Sequence, residues 1–154
     1  MQWSQLKKRI ETQFTDSVKS RIKIGLTSYN HAHDQRGRGW IEVDGKEIIN
    51  MCSYKFEGEH YTQRRDQQRN DYDQITRELN EKNLFSQSDF FGALSDYLNL
   101  SIDSIRKSEN PLIRALGMLD ARLGKRSLQK INIDEEHDLV KRLYYLRCDV
   151  EGLL

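Results

Sequence analysis

The fold is decided by residues 40–51, whose sequence is WIEVDGKEIINM. The first four residues alternate between apolar and polar side chains, which is typical of a strand with one buried face. Asp44-Gly45 follows, and this pair favours a two-residue type I′ turn because both central positions of that turn need a positive φ. The stretch therefore predicts a β-hairpin whose return strand covers residues 46–51.

A further strand is predicted upstream of the hairpin. Ile22, Ile24 and Leu26 alternate with polar residues between positions 21 and 29, which is again the pattern of a half-buried strand. A polar connection over residues 30–39 leads into the hairpin. We therefore expect the three strands to form an antiparallel meander near the N-terminus.

Helical spacing marks most of the remaining chain. At the N-terminus, apolar residues follow one another at intervals of three and four, at Trp3, Leu6, Ile10 and Phe14. Asn110-Pro111 predicts a helix start, because Asn caps free amides and Pro lacks the amide hydrogen that would be left unpaired. That helix is expected to run to Leu123 and to end at Gly124 in a left-handed cap. A last helix is expected to begin with a cap at Asp134.

Together these patterns predict an α+β fold, in which an N-terminal helix and a C-terminal helical layer pack on the meander. No Gly/Pro/Ser-rich linker divides the chain, so one domain over residues 1–154 is expected. Residues 57–71 differ from the rest, since Tyr61 is their only large apolar residue. A helix with so little to bury is marginal on its own, so this segment is predicted to be a solvated helix or a mobile loop.

Composition excludes several classes of protein. The chain has 154 residues, a net charge of +1 and a mean hydropathy of −0.83. No apolar run approaches the ~18 residues of a membrane span, and the N-terminal residues lack the apolar segment of a secretory signal. Two cysteines, Cys52 and Cys148, cannot build a disulfide framework. We expect a cytoplasmic protein that does not insert into membranes.

Charge is unevenly distributed along the chain. Residues 1–38 hold eight Lys/Arg against three Asp/Glu, and residues 105–133 hold seven against two. The other segments are acidic. Such blocks either lie against each other in the fold and partly cancel, or merge into a basic face that attracts a polyanion.

The densest polar cluster lies between His31 and Trp40. If the first strand extends this far, His31 and His33 point to the same face, and Asp34 or the distant His60 could supply a third metal ligand. Two histidines without a cysteine or a second spaced pair make a weak metal motif, so we predict no metal and no cofactor.

Arginines in and near this cluster suggest anion binding. Arg36 and Arg38 can form forked hydrogen bonds to a phosphate or carboxylate, and glycines beside them allow a ligand to approach the backbone. With His31 and His33 they are the first candidates for an anion site. A secondary basic patch is predicted at Arg122, Lys125 and Arg126.

Two blocks of the sequence resemble a known family. They are residues 31–48, which contain HAHDQRGRGWI and VDGKEI, and residues 110–126, which contain NPLIRAL, MLD and GKR. The family consists of small conserved bacterial proteins of unassigned function. The resemblance implies a bacterial cytoplasmic setting, and it transfers no activity, cofactor or catalytic residue.

Three functions remain open at this point. The first is a non-catalytic binding or regulatory module that acts through contacts with another protein. The second is a nucleic-acid-associated protein that uses the basic blocks 1–38 and 105–133. The third is a small enzyme with a site around His31, His33, Asp34 and Arg36.

Overall fold

The computed structural model describes residues 1–29 and 36–154. Within these ranges there are three strands: β1 (Ile22–Ser28), β2 (Gly37–Val43) and β3 (Lys46–Cys52). The described helices are α1 (Trp3–Gln13), α2 (Asp16–Lys19), α3 (Ser53–Arg65), α4 (Tyr72–Glu81), α5 (Gln87–Leu98), α6 (Ile102–Lys107), α7 (Pro111–Leu119), α8 (Lys125–Gln129) and α9 (Asp138–Val150).

The predicted meander and the α+β class are confirmed. The sheet has the order β1-β2-β3 with antiparallel pairing throughout. Ile41 is the partner of Ile24 on one side and of Ile49 on the other. At the hairpin turn Asp44 has φ 53° and Gly45 has φ 82°, the left-handed values that a type I′ turn requires.

One face of the sheet is buried against helices. Ile24, Ile41 and Met51 are almost fully buried and belong to a cluster that includes apolar residues of α1, α5, α7 and α9. Gly39 faces α5 directly, and a Cβ at this position would overlap the ring of Phe90. The glycine therefore allows the sheet to approach α5 closely.

The N-terminal helix ends earlier than its apolar stripe. Helix α1 stops at Gln13, and Phe14 continues in extended conformation as an isolated antiparallel bridge to Asp120. The amide of Thr15 donates to the carbonyl of Leu119 at 2.8 Å. Backbone pairing thus joins the N-terminal segment to the end of α7.

Helix α7 begins as predicted and ends differently. The Asn110 side chain accepts from the amide of Leu112, with Pro111 in the first turn. The helix stops at Leu119, however, and Gly124 has φ −82° and precedes α8. The expected left-handed cap is therefore wrong.

A buried arginine explains this early end. The Arg147 guanidinium, on α9, donates to the carbonyls of Met118, Asp120 and Leu123 at 2.6–3.1 Å. These donors satisfy carbonyls at and beyond the helix end without further helical bonds.

The last helix begins with a different cap from the one predicted. It is capped by His137, whose Nδ1 accepts from the amide of Leu139, and not by Asp134.

Residues 53–65 form helix α3, which packs with α4 around a separate small cluster of Phe56, Ile75 and Leu79. The helical alternative is thus the one observed over that range, and mobility of residues 57–71 stays a prediction.

Candidate binding surface

The second face of the sheet carries exposed or half-buried side chains. Side chains alternate between the faces of a strand, so Arg38 and Trp40 lie opposite the buried Ile41. The Arg38 guanidinium lies 4.3 Å from the centre of the Trp40 ring system, which is a favourable cation–π distance. The indole in turn covers the backbone of Gly25, where a Cβ would overlap it.

Arg38 is also held by acceptors on β3. It donates to both carboxylate oxygens of Glu47 at 2.8 and 3.1 Å and to the amide oxygen of Asn50 at 3.1 Å. The hydrogen bonds from Arg38 lower the pKa of the Glu47 carboxyl. The guanidinium is therefore fixed over the indole by a paired acid of this chain.

Tyrosine stacking continues this surface towards α3. The rings of Tyr29 and Tyr54 are nearly parallel, with centroids 5.5 Å apart. Arg36 lies over the outer tyrosine, with its guanidinium carbon 5.1 Å from the Tyr54 ring centre. It also makes a 2.9 Å ion pair with Glu57.

Cys52 lies beneath this stack as the N-cap residue of α3. The Tyr29 hydroxyl is 3.1 Å from Sγ of Cys52. Burial raises the pKa of the thiol, but hydrogen bonds from Tyr29 and from the amides of Lys55 and Tyr54 outweigh burial, so that the pKa lies below its ordinary value.

A cleft of about 360 Å³ opens along α3 beside this stack. It is lined by Arg36, Tyr54, Glu57, Gly58, Tyr61 and Arg64. Tyr54 and Tyr61 are two helical turns apart, and they are 47% and 50% exposed. A Cβ added to Gly58 would meet no atom within 4 Å, so the glycine leaves open space between the two rings.

Arginines also surround the far end of the cleft. Arg64 lies 5.9 Å from the ring centre of Tyr61 and 5.7 Å from that of Tyr72. Arg65 donates to the hydroxyl of Tyr61 at 2.6 Å. Neither arginine has an ion-pair partner among residues 1–29 and 36–154. We call the whole set the Arg–aromatic surface and define it by Tyr29, Arg36, Arg38, Trp40, Tyr54, Tyr61 and Arg64.

The inner side of α3 anchors this surface to α4. His60 is 1% exposed, and its Nε2 is 3.2 Å from the hydroxyl oxygen of Thr76. Its ring centroid is 4.1 Å from that of Tyr72. The polar composition of residues 57–71 does not indicate that His60 is buried. The spacing of seven residues between Tyr54 and Tyr61, in contrast, could have indicated that the two rings lie on a common helix face.

Of the residues predicted to bind anions, the structure brings two to this surface. Arg36 and Arg38 belong to it, and each already pairs with a carboxylate, Glu57 and Glu47 respectively. Gly37 and Gly39 face Thr27, Gln87 and Phe90 and allow close packing there. The expected approach of a ligand to their backbone stays a prediction. His31, His33 and Asp34 lie outside the described residues.

Two of the three cations of the secondary basic patch are paired with acids. Arg122 folds back onto Asp120, with its Nε and Nη2 donating at 3.0 and 2.9 Å. Lys125 lies 3.6 Å from Glu151. Arg126 is exposed and has no ion-pair partner in the described part of the chain.

Several cations of the two basic blocks pair with acids from other segments. Arg21 donates to Asp44 at 2.8 Å and to Asp149 at 2.6 Å. Arg114 donates to Glu136 at 3.1 Å. The described structure therefore corresponds to the first reading of the charge pattern, in which basic and acidic blocks lie together and partly cancel.

Two classes of site have no counterpart in the ranges that the structure describes. No group of three His, Cys, Asp or Glu side chains there is placed to hold a metal ion. No helix in those ranges is long and apolar enough to cross a membrane.

Fold and surface together define an α+β protein that displays stacked arginines and aromatic rings on one sheet face and the adjoining helix. The chain belongs to the SF0329 protein family, whose model matches residues 2–148. No curated protein and no solved structure matches the chain significantly.

Proposed function

We propose that this protein is a non-catalytic binding module of the bacterial cytoplasm that acts through contacts with another protein. The observation that carries the proposal is the Arg–aromatic surface. Trp, Tyr and Arg are the residues most enriched among the energetic hot spots of protein interfaces. Here all three types lie on one surface formed by the sheet and α3.

The contacts within the surface reduce the cost of binding. Ordering a long side chain at an interface costs about 0.5–1.5 kcal/mol. Arg38 is already held by Glu47 and Trp40, and Tyr54 is stacked on Tyr29. These side chains therefore lose little freedom when a partner docks, which favours tight association through a small area.

Charge favours a protein partner over a nucleic acid. Phosphate backbones are bound by cations that carry uncompensated positive charge. Arg36 and Arg38 are paired with Glu57 and Glu47, and Arg21 of the N-terminal block is paired with two aspartates. The nucleic-acid alternative, with the blocks 1–38 and 105–133, therefore has less support in the block 1–38.

The enzyme alternative depends on His31, His33 and Asp34 together with Arg36. Of these, only Arg36 lies in the described structure, where it stacks on Tyr54 and pairs with Glu57. These contacts suit recognition of a partner. The binding module remains the better supported function.

Quantitative capture from cells tests the proposal. The double variant Tyr54→Ala, Tyr61→Ala removes both rings of the cleft, and Tyr145→Ala is the matched control because Tyr145 is 48% exposed on α9. Tagged wild type and variants are recovered from nuclease-treated lysate, and co-purifying proteins are quantified by mass spectrometry. We expect a protein that is enriched with wild type and the control and at least about ten-fold depleted with the double variant, as loss of a hot spot implies.

Two results would contradict the proposal. Unchanged recovery of every partner by the double variant, with melting temperatures equal to wild type, would move the interface elsewhere. Partners that disappear for all proteins after nuclease treatment would instead support the nucleic-acid alternative.

A further inference from the structure

A second cleft, of about 250 Å³, lies where α6 and α7 meet the segment between α8 and α9. It is lined by Arg106, Arg114, Met118, Lys130, Ile131, Asn132 and Glu136. Three of these side chains are cationic and one is acidic. The cleft is thus a locally basic site in a chain whose net charge is only +1.

One of the cations is rigidly held. Arg114 donates from Nε to Glu136 at 3.1 Å and from Nη1 to the backbone carbonyl of Ser108 at 2.9 Å. Its side chain is 19% exposed. The other terminal nitrogen, Nη2, has no hydrogen-bond partner among the described residues, so it remains a donor that is oriented without further cost in entropy.

The other two cations are exposed at the rim. Arg106 and Lys130 have no ion-pair partner within residues 1–29 and 36–154, unlike the neighbouring Lys107, which pairs with Asp103 at 3.1 Å. Glu136 neutralises about one of the three positive charges. An excess of two positive charges therefore remains around the cleft.

We propose that this cleft binds the phosphate group of a small phosphorylated molecule. A phosphate monoester carries about −1.5 to −2 charge near neutral pH, which matches the two uncompensated cations, whereas a carboxylate carries only one negative charge. Arginine presents its donors in a planar fork that fits phosphate oxygens. Met118 and Ile131 provide an apolar wall for the uncharged part of the ligand.

The same phosphate chemistry could come from a free metabolite or from the backbone of a nucleic acid. The volume of the cleft favours the free molecule, because a cleft of this size accommodates a single small group and does not follow a strand. This site shares no residue with the Arg–aromatic surface, and the inference does not depend on the proposed protein partner.

Calorimetric titration at low and at moderate salt tests the site directly. The probes are inorganic phosphate, a nucleoside monophosphate and a short single-stranded oligonucleotide. We expect the wild type to bind phosphate and the monophosphate, and the double variant Arg106→Gln, Lys130→Gln to bind at least about ten-fold more weakly, since it loses two charge-assisted contacts to the phosphate. Lys125→Gln, Arg126→Gln is the matched control, because it removes the same charge from α8, outside the cleft.

A third variant is expected to bind phosphate more tightly than the wild type. Among the described residues that line the cleft, Glu136 is the one acid. Glu136→Gln removes its negative charge, so we expect phosphate to bind several-fold more tightly. Tighter binding of the oligonucleotide than of the monophosphate, lost in the Arg106/Lys130 variant, would assign the phosphate to a nucleic acid at the same site. Absence of phosphate binding by the wild type, or equal binding by the Arg106/Lys130 and Lys125/Arg126 variants, would overturn the proposal.

Discussion

Helices α7 and α3 use their side chains in opposite ways. Eight of the nine residues of α7 are buried, and the exception is Arg114. Helix α3 has thirteen residues, of which only Ser53, Phe56 and His60 are buried. Helix α7 is therefore buried on almost all sides, whereas most residues of α3 are in contact with solvent. The comparison indicates that α7 supports the fold and that α3 is available for recognition.

The two regions also differ in how they connect to the core. Apolar residues of α7 belong to the cluster that joins the sheet with α1, α5 and α9. Phe56 of α3 belongs instead to a separate cluster with Ile75 and Leu79 of α4. Because local stability follows the amount of buried contact, substitutions around α7 are expected to change the free energy of unfolding most. Substitutions on the outside of α3 are expected to change binding with little effect on stability.

The largest expected loss concerns the arginine that closes α7. Arg147→Met removes the donors to the carbonyls of Met118, Asp120 and Leu123. The Asp120 carbonyl still accepts from the amide of Leu123, so the acceptors that lose their donors are the carbonyls of Met118 and Leu123. Each buried acceptor left without a partner costs about 1–3 kcal/mol, and the ion pair of Arg147 with Glu151 is lost as well, so we expect about 3–5 kcal/mol of lost stability. Urea denaturation measures the loss. Arg147→Lys, which keeps one charge but not the fork, should lose less, and equal stability of all three proteins would show that the carbonyls do not need these donors.

A slightly smaller loss is expected within α7 itself. Leu116 is 1% exposed, so Leu116→Ala removes buried methyl groups and leaves a cavity. Such substitutions cost about 2–5 kcal/mol. The denaturation midpoint in guanidinium chloride measures the effect, and an unchanged midpoint would contradict the assignment of this helix to the core.

The buried pair of Tyr97 and Asp120 predicts a loss that depends on pH. The Tyr97 hydroxyl donates to the fully buried Asp120 carboxylate at 2.6 Å, and hydrogen bonds to charged groups are worth about 1.5–3 kcal/mol. Burial raises the pKa of Asp120, but hydrogen bonds from Arg122 and Tyr97 outweigh burial and keep it below 3.8. A lowered pKa in the folded state stabilises the protein above the unfolded value and loses that contribution as pH falls through the folded value.

Thermal melting of wild type and Tyr97→Phe between pH 7 and pH 2 tests this expectation. Tyr97→Phe should be less stable at neutral pH, and the difference should shrink as the carboxylate becomes protonated. A difference that stays constant over the whole range would contradict an ionised Asp120 as the acceptor.

The smallest effect is expected on α3, and it has the opposite sign. Gly58 lies in the interior of α3, where a Cβ meets open space, and glycine costs about 0.5–1 kcal/mol relative to alanine in a helix. Gly58→Ala should therefore stabilise the protein by about that amount in urea denaturation. Gly92→Ala is the matched control, since Gly92 lies in α5 with equally open space. A loss of stability in Gly58→Ala alone would show that α3 makes a contact across the cleft.

Local patterns were sufficient for the elements whose determinants lie close together in sequence. The Asp44-Gly45 turn and the Asn110 cap each depend on a few consecutive residues, and both were predicted correctly. The end of α7 could not be predicted in this way, because its carbonyls are satisfied by Arg147 from a helix that begins nineteen residues later. The cap of α9 likewise involves His137, whose Nε2 contacts the carbonyl of Asn80 at 2.7 Å.

The candidate surface was accessible to sequence analysis only in part. Arg36 and Arg38 were identified from their residue type, but their partners Glu57 and Glu47 come from α3 and β3. The stacked residues Tyr29 and Tyr54 are separated in the sequence by strands β2 and β3. Such contacts depend on how the sheet and α3 are arranged in space, which alternation and helical spacing do not specify.

Site-specific photo-crosslinking in cells shows whether a partner protein contacts the exposed side of α3. A benzophenone amino acid is introduced in cells at position 61 on α3 or at position 145 on α9, where the natural tyrosines are 50% and 48% exposed. We expect a discrete crosslink to another protein from position 61 and none from position 145. Equal crosslinking from both positions, or crosslinks from position 145 alone, would contradict a binding surface on α3.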